Sequence, residues 1–157
     1  MWGAARGGHL AMVKWAVGDG RSYNESTCAA AAQGGHLDVL EWLRNQGCPW
    51  DESTCAGAAA YGYLDLLRWA RANGCPWSKS VCFHLAGDGH FETLKWARAN
   101  GCPWGRDACW HAAQAGHLDI LRWARANGCP WDRDHCAKGA AAMKRHHVCT
   151  WIDAQPY

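Results

Sequence analysis

The sequence has no long apolar run, little excess of charge of either sign and no recognisable catalytic motif. No stretch approaches the roughly 18 apolar residues of a membrane-spanning helix, so we expect no membrane contact. A net charge of +2 is too small to predict nucleic-acid binding. A Ser/His/Asp set, paired carboxylates and a phosphate-binding loop are all missing from the pattern. We therefore predict a protein that is not an enzyme and needs no cofactor.

The first residues also lack the apolar centre of an export signal, since Met1 is followed by Trp-Gly-Ala-Ala-Arg. We therefore expect a cytoplasmic protein. In a reducing compartment its 10 cysteines are expected to remain thiols and not to form a disulfide framework.

Segments that alternate apolar and polar residues are missing too, which excludes a sheet protein. What the sequence does contain is a 27-residue repeat. Gly-Cys-Pro-Trp stands at 47–50, 74–77, 101–104 and 128–131. A Gly-His-Leu-type tripeptide recurs in constant phase at 8–10, 35–37, 62–64, 89–91 and 116–118. A fixed period of this length predicts a solenoid of stacked supersecondary units.

Residues 51–77 show the pattern of one repeat. Ser53 has the side chain of an N-cap, and an alanine-rich helix from Thr54 to about Ala60 is predicted to end at Gly62. A second helix is predicted from about Leu64 to Ala72. The corresponding N-cap residues of the other repeats are Ser26, Ser80, Asp107 and Asp134. Each repeat is thus two short antiparallel helices and an extended link.

Residues 26–50 resemble an ankyrin repeat. The resemblance lies in Ala31-Ala32, Gly35-His36-Leu37, the apolar second helix and Gly47. An ankyrin repeat has about 33 residues, and the missing ones fall where that family carries a β-hairpin. The Gly-Cys-Pro-Trp form resembles the short-hairpin ankyrin proteins that large DNA viruses of amoebae carry in many copies. The resemblance implies an all-α, ankyrin-like solenoid of helix-turn-helix units with shortened or absent β-hairpins.

We predict a single repeat array over residues 1–157. Its parts are a partial first repeat at 1–23, full repeats at 24–50, 51–77, 78–104 and 105–131, and a degenerate C-terminal cap at 132–157. A fragment of a longer array is the alternative, because the pattern fails after Cys136.

Tryptophan recurs at two positions of the repeat, and we predict that stacking of neighbouring repeats buries these rings. The second helices carry Trp15, Trp42, Trp69, Trp96 and Trp123, and the links carry Trp50, Trp77, Trp104 and Trp131. Arginines also form stripes along the second helices, which we interpret as a solvated outer face. The stripe nearest the links contains Arg71, Arg98 and Arg125.

Cysteines recur seven residues apart, as in Cys48 and Cys55, which raises the possibility of a metal site or a disulfide. Zinc requires four ligands, and the recurring histidine that would supply another is replaced by Tyr63 in one repeat. We therefore favour small buried thiols and predict no metal site.

The best candidates for partner contacts are positions that differ among the repeats while their neighbours stay constant. They lie just before the glycine that closes the first helix, and at the position that leads into that helix. We assign them to Tyr61, Lys79, Asp88, Arg106 and Gln114. His84 and His111 each follow an aromatic residue and are further candidates for the same groove.

These observations together predict a non-enzymatic protein–protein interaction module that binds a partner protein through the concave face of the stack. We expect a monomer. The viral resemblance implies a host protein as partner and the host cytoplasm as location. The alternatives are a truncated paralogue or structural fragment without independent binding, and a Cys-rich metal-binding protein.

Overall fold

A computed structural model describes residues 1–155, which form twelve α-helices and contain no strand. The helices are α1 Trp2–Arg6, α2 Leu10–Gly18, α3 Glu25–Gly34, α4 Leu37–Asn45, α5 Glu52–Ala60, α6 Leu64–Ala72, α7 Lys79–Gly87, α8 Phe91–Ala99, α9 Arg106–Ala115, α10 Leu118–Ala126, α11 Arg133–Ala142 and α12 His146–Asp153. Odd-numbered helices are the first helices of the repeats, and even-numbered helices are the second. The all-α prediction is confirmed for the described residues, and none of them forms a β-hairpin.

The helices group into two compact units, Met1–Trp77 and Ser78–Tyr157. In the first unit α3 packs between α1 and α5, and each second helix packs on the first helix of its own hairpin. The second unit has the same arrangement, with α9 between α7 and α11. Side-by-side hairpins are the structure that the repeat period predicts. A single array over 1–157 stays a prediction, and residues 156 and 157 lie outside the described part of the chain.

In the repeat 51–77 the second helix has the predicted bounds, but the first helix begins at Glu52, two residues earlier than expected. The N-cap is Asp51, whose backbone is extended with φ of −137° and whose carboxylate accepts a hydrogen bond from the Ser53 N–H at 2.9 Å. The assignment of Ser53 as N-cap was wrong because this residue already lies inside the helix. The N-caps of the other repeats are shifted in the same way, to Asn24, Ser78, Gly105 and Asp132.

Replacing Asp51 with alanine is expected to lower the free energy of unfolding by about 1 kcal/mol, because the Ser53 N–H loses its acceptor. Ser53→Ala is the matched control, since it removes only the hydroxyl that donates to the same carboxylate. We expect a smaller loss for it in urea denaturation. A larger loss for Ser53→Ala would restore Ser53 as the cap.

The interior of each unit consists of alanine, cysteine and aliphatic side chains, and not of tryptophan. Leu67 and Leu121 are fully buried, whereas Trp15 is 62% exposed. The other tryptophans of both series are half-buried. The prediction that stacking buries these rings is thus wrong for Trp15, and the other rings of the two series are buried only in part. Rings of neighbouring repeats contact each other, as Trp50 and Trp69 do with ring centres 5.8 Å apart.

Each link tryptophan packs under the arginine that ends the preceding helix. Arg71 donates a hydrogen bond to the carbonyl of Cys75, and its guanidinium carbon lies 4.2 Å from the ring centre of Trp77. We call this arrangement the arginine clamp. It recurs as Arg44–Cys48–Trp50, Arg98–Cys102–Trp104 and Arg125–Cys129–Trp131. The clamp arginines are half-buried, so their interpretation as a solvated stripe was wrong.

Candidate functional site

A contiguous row of aromatic and imidazole rings lies along the first helices of the second unit. His111 of α9 meets Phe83 of α7 with ring centres 3.8 Å apart, and Phe83 in turn meets His84 at 4.8 Å. Trp110 meets His111 at 4.5 Å and is stacked on His135 of α11 at 5.1 Å. We call these five residues the ring row. Three successive first helices contribute to it, so it forms one continuous surface.

A cavity of about 380 Å³ opens beside the ring row at the C-terminal ends of α7 and α9. Phe83 and His111 form its aromatic wall, and Met143 lies on the side of α11. The polar groups on its lining include the side chains of Asp88 and Gln114. A concave site with aromatic rings and a small number of placed polar groups suits the binding of one or two side chains.

The charges around this cavity are of both signs. The Asp88 carboxylate lies 3.9 Å from Nδ1 of His84, an ion pair whenever that imidazole is protonated. Arg145 also lines the cavity, and its Nε donates a hydrogen bond to the backbone carbonyl of Gln114 at 3.3 Å. Burial lowers the pKa of His111, and the charge of His84 lowers it further, whereas Asp107 and Asp88 oppose this shift. Burial therefore favours the neutral imidazole at His111.

The structure brings two of the five predicted contact residues into this cavity, namely Asp88 and Gln114. Lys79 and Arg106 are exposed at the first positions of α7 and α9. Because a helix rises about 1.5 Å per residue, Lys79 lies roughly 13 Å along α7 from Asp88. The Lys79 ammonium forms an ion pair with Asp107 at 3.9 Å.

Tyr61 belongs to the first unit, where it follows α5 as its C-cap. Its side chain is 48% exposed, accepts a hydrogen bond from Arg6 at 3.3 Å and stacks on Tyr63 with ring centres 5.9 Å apart. Tyr61 is thus a surface residue that bridges α1 and α5 of that unit.

Phe83, Met143 and Arg145 line the cavity but were not among the predicted contacts. The sequence did distinguish Phe83 from its counterparts, because the corresponding positions of the first unit are Ala29 and Ala56. Met143 and Arg145 lie where the repeat pattern fails, so internal comparison of the repeats gave no reason to select them.

Within residues 1–155 no three His, Cys, Asp or Glu side chains come together in a way that suits a metal ion. The same part of the chain has no helix with the length and apolar character needed to span a bilayer.

Comparison with solved structures decides the fold. The ankyrin repeat domain of human ASB11 superposes with a TM-score of 0.72 at 17% sequence identity, over 98% of this chain and 83% of that domain. The chain has the ankyrin-repeat fold. Its repeats are 27 residues long, shorter than the usual ankyrin repeat of about 33, and an arginine clamp closes each link. No family model matches the sequence, and no curated protein matches it either.

Proposed function

We propose that the chain is a non-enzymatic protein-interaction module that binds a segment of another protein on the ring row and its cavity. The ankyrin-repeat fold is in general a scaffold for such interactions. The observation that carries the proposal is the ring row, five adjacent rings on the first helices of the second unit.

The fold itself does not require these rings. In the first unit the positions of Phe83 and Trp110 are occupied by Ala29 and Ala56, and the first helices pack closely there. An added Cβ at Gly57 would lie 3.2 Å from the carbonyl oxygen of Ala29, which shows how little space that packing leaves. Small residues therefore build the stack, so the larger rings of the second unit support a role in binding.

The chemistry of the cavity indicates the kind of segment that would fit. Phe83, His111 and Met143 offer an apolar surface for one large side chain. The carboxylate of Asp88 is half-exposed, and it would pair with a basic group beside that side chain. We propose an extended segment with an aromatic or aliphatic anchor next to lysine or arginine. Tyr61, Lys79 and Arg106 would extend the contact beyond the cavity.

The finer features of the function are proposals of the same kind. A monomer in the cytoplasm that binds a host protein agrees with the viral resemblance of the Gly-Cys-Pro-Trp repeats. Neither alternative function requires a ring row, whether the chain is a fragment without binding activity or a metal-binding protein.

The double substitution Phe83→Ala and His111→Ala tests the proposal, because it gives the second unit side chains closer to those of the first. Phage-displayed random peptides selected on the wild-type protein should bind this variant at least about tenfold more weakly, since central aromatic contacts dominate such interfaces. Fluorescence polarisation of labelled peptides measures the dissociation constant.

Glu92→Ala with Asp119→Ala is the matched control, since both side chains are exposed on second helices of the same unit. This variant should bind the selected peptides as the wild type does. Equal weakening by both variants, or full binding by the ring variant, would contradict the proposal. Circular dichroism of each variant shows that the fold is retained.

A further inference from the structure

Eight of the ten cysteines are paired inside single repeats, in a way that differs from the seven-residue spacing of the sequence. Cys28 donates its S–H to Sγ of Cys48 across 3.2 Å, and the two residues are 20 apart in the chain. The corresponding residues of the other repeats are Cys55 and Cys75, Cys82 and Cys102, and Cys109 and Cys129. In the second of these pairs Sγ of Cys82 lies 4.0 Å from the carbonyl oxygen of Cys102. All eight side chains are fully buried.

Each pair lies where the link returns to the start of its own repeat. The second cysteine donates to the carbonyl of the N-cap residue of the first helix, as Cys48 does to Asn24 at 3.3 Å. The same contact joins Cys75 to Asp51, Cys102 to Ser78 and Cys129 to Gly105, at 3.5, 3.7 and 3.5 Å. A covalent bond within a pair would therefore fasten the link to the first helix.

The two thiols of a pair are electrostatically unequal. The S–H of Cys28 lowers the pKa of Cys48, and the guanidinium of the clamp residue Arg44 lowers it further, although burial opposes both. The pKa of Cys28 is raised by the same hydrogen bond and by burial. The pKa values of Cys75 and Cys129 are lowered in the same way by their partner thiols. In each of these pairs the second cysteine therefore loses its proton more easily than the first.

We propose that the four thiol pairs are redox modification sites that close as disulfides within single repeats when local opening of a link admits a peroxide to the buried thiols. The thiolate of the second cysteine attacks one peroxide oxygen, which gives a sulfenic acid and releases hydroxide. The first cysteine then attacks this sulfur, the S–S bond forms, and the sulfenic oxygen leaves with a proton as water. In total two thiols and one hydrogen peroxide give one disulfide and two waters.

The last repeat supplies an internal control. Cys136 aligns with the first cysteine of each pair, but no Gly-Cys-Pro-Trp follows it, and burial raises its pKa to about 11. Cys149 is half-buried and has no counterpart in the other repeats. These two residues are expected to remain outside the disulfides.

The test is mild oxidation of the folded, reduced full chain with hydrogen peroxide, followed by alkylation in denaturant and mass spectrometry. We expect a mass loss of about 2 Da per pair, reaching about 8 Da, with alkyl groups only on Cys136 and Cys149. Peptide mapping should show the links 28–48, 55–75, 82–102 and 109–129. The melting temperature should rise by several degrees and fall again after reduction.

Two variants make the test specific. Cys136→Ala with Cys149→Ala should still lose the full mass, whereas Cys28→Ala with Cys48→Ala should lose one link and keep the other three. Thiols that stay fully alkylatable, links between Cys48 and Cys55, or oxidation confined to Cys149 would each overturn the proposal. The map of the wild-type protein decides the question even if the second variant fails to fold.

Discussion

Replacing Leu67 with alanine should lower the free energy of unfolding by about 2–5 kcal/mol, the largest effect that we expect from a single substitution. Leu67 lies in α6 and is fully buried. Removal of its branched side chain leaves a cavity among helices that are packed through short side chains, and such helices have little side-chain volume with which to fill it. Chemical denaturation with guanidinium chloride measures the loss.

Leu64→Ala is the matched control, because Leu64 begins the same helix but is only half-buried. We expect it to cost roughly 1 kcal/mol, in line with its smaller buried area. A loss at Leu64 equal to that at Leu67 would mean that the stack is not centred on the aliphatic row of the second helices.

The helices were predictable because local signals and tertiary packing agree. Gly62 and Gly74 have φ of 69° and 81°, a left-handed conformation that glycine adopts without strain, and they end α5 and α6 where the sequence predicts. The start of α5 was misplaced because Asp51 and Ser53 both have the side chain of an N-cap. Sequence alone does not show which of two such residues has the extended backbone.

The thiol pairs were not predictable from spacing. The closest cysteines in the sequence, such as Cys48 and Cys55, belong to neighbouring repeats, whereas the partners in space are 20 residues apart. This separation in sequence follows from the closure of the helical hairpin, because the link returns to the first helix of its own repeat. Contact between Cys28 and Cys48 is therefore a tertiary property of the repeat.

The candidate site was predictable only in part. Asp88 and Gln114 stood out because they vary among otherwise constant repeats, and the structure places both on one cavity. Phe83 and Trp110 vary in the same way, but an aromatic residue on a helix is more often a core residue. Only the structure shows that their rings form a row with three histidines.

Removal of the arginine clamp is expected to have the second large effect on stability. Arg71→Ala should lower the free energy of unfolding by about 2–3 kcal/mol, because it removes a charged hydrogen bond to the Cys75 carbonyl and the cation that covers the Trp77 ring. Arg71→Lys should recover only part of this loss, since an ammonium lacks the planar donor fork that bonds and stacks at once. Urea denaturation followed by tryptophan fluorescence reports both the stability and the exposure of the ring.

Arg68→Ala is the control for charge, because Arg68 carries the same group one turn earlier in α6 and forms an exposed ion pair with Asp65 at 3.7 Å. Such a pair contributes at most about 1 kcal/mol, so a small loss is expected. If the two substitutions lower the free energy of unfolding equally, the clamp contributes nothing beyond surface charge. If only the Arg71 substitution lowers the free energy of unfolding strongly, the recurring arginine is a structural part of each link. The shortened repeat then depends on this arginine in place of the missing hairpin.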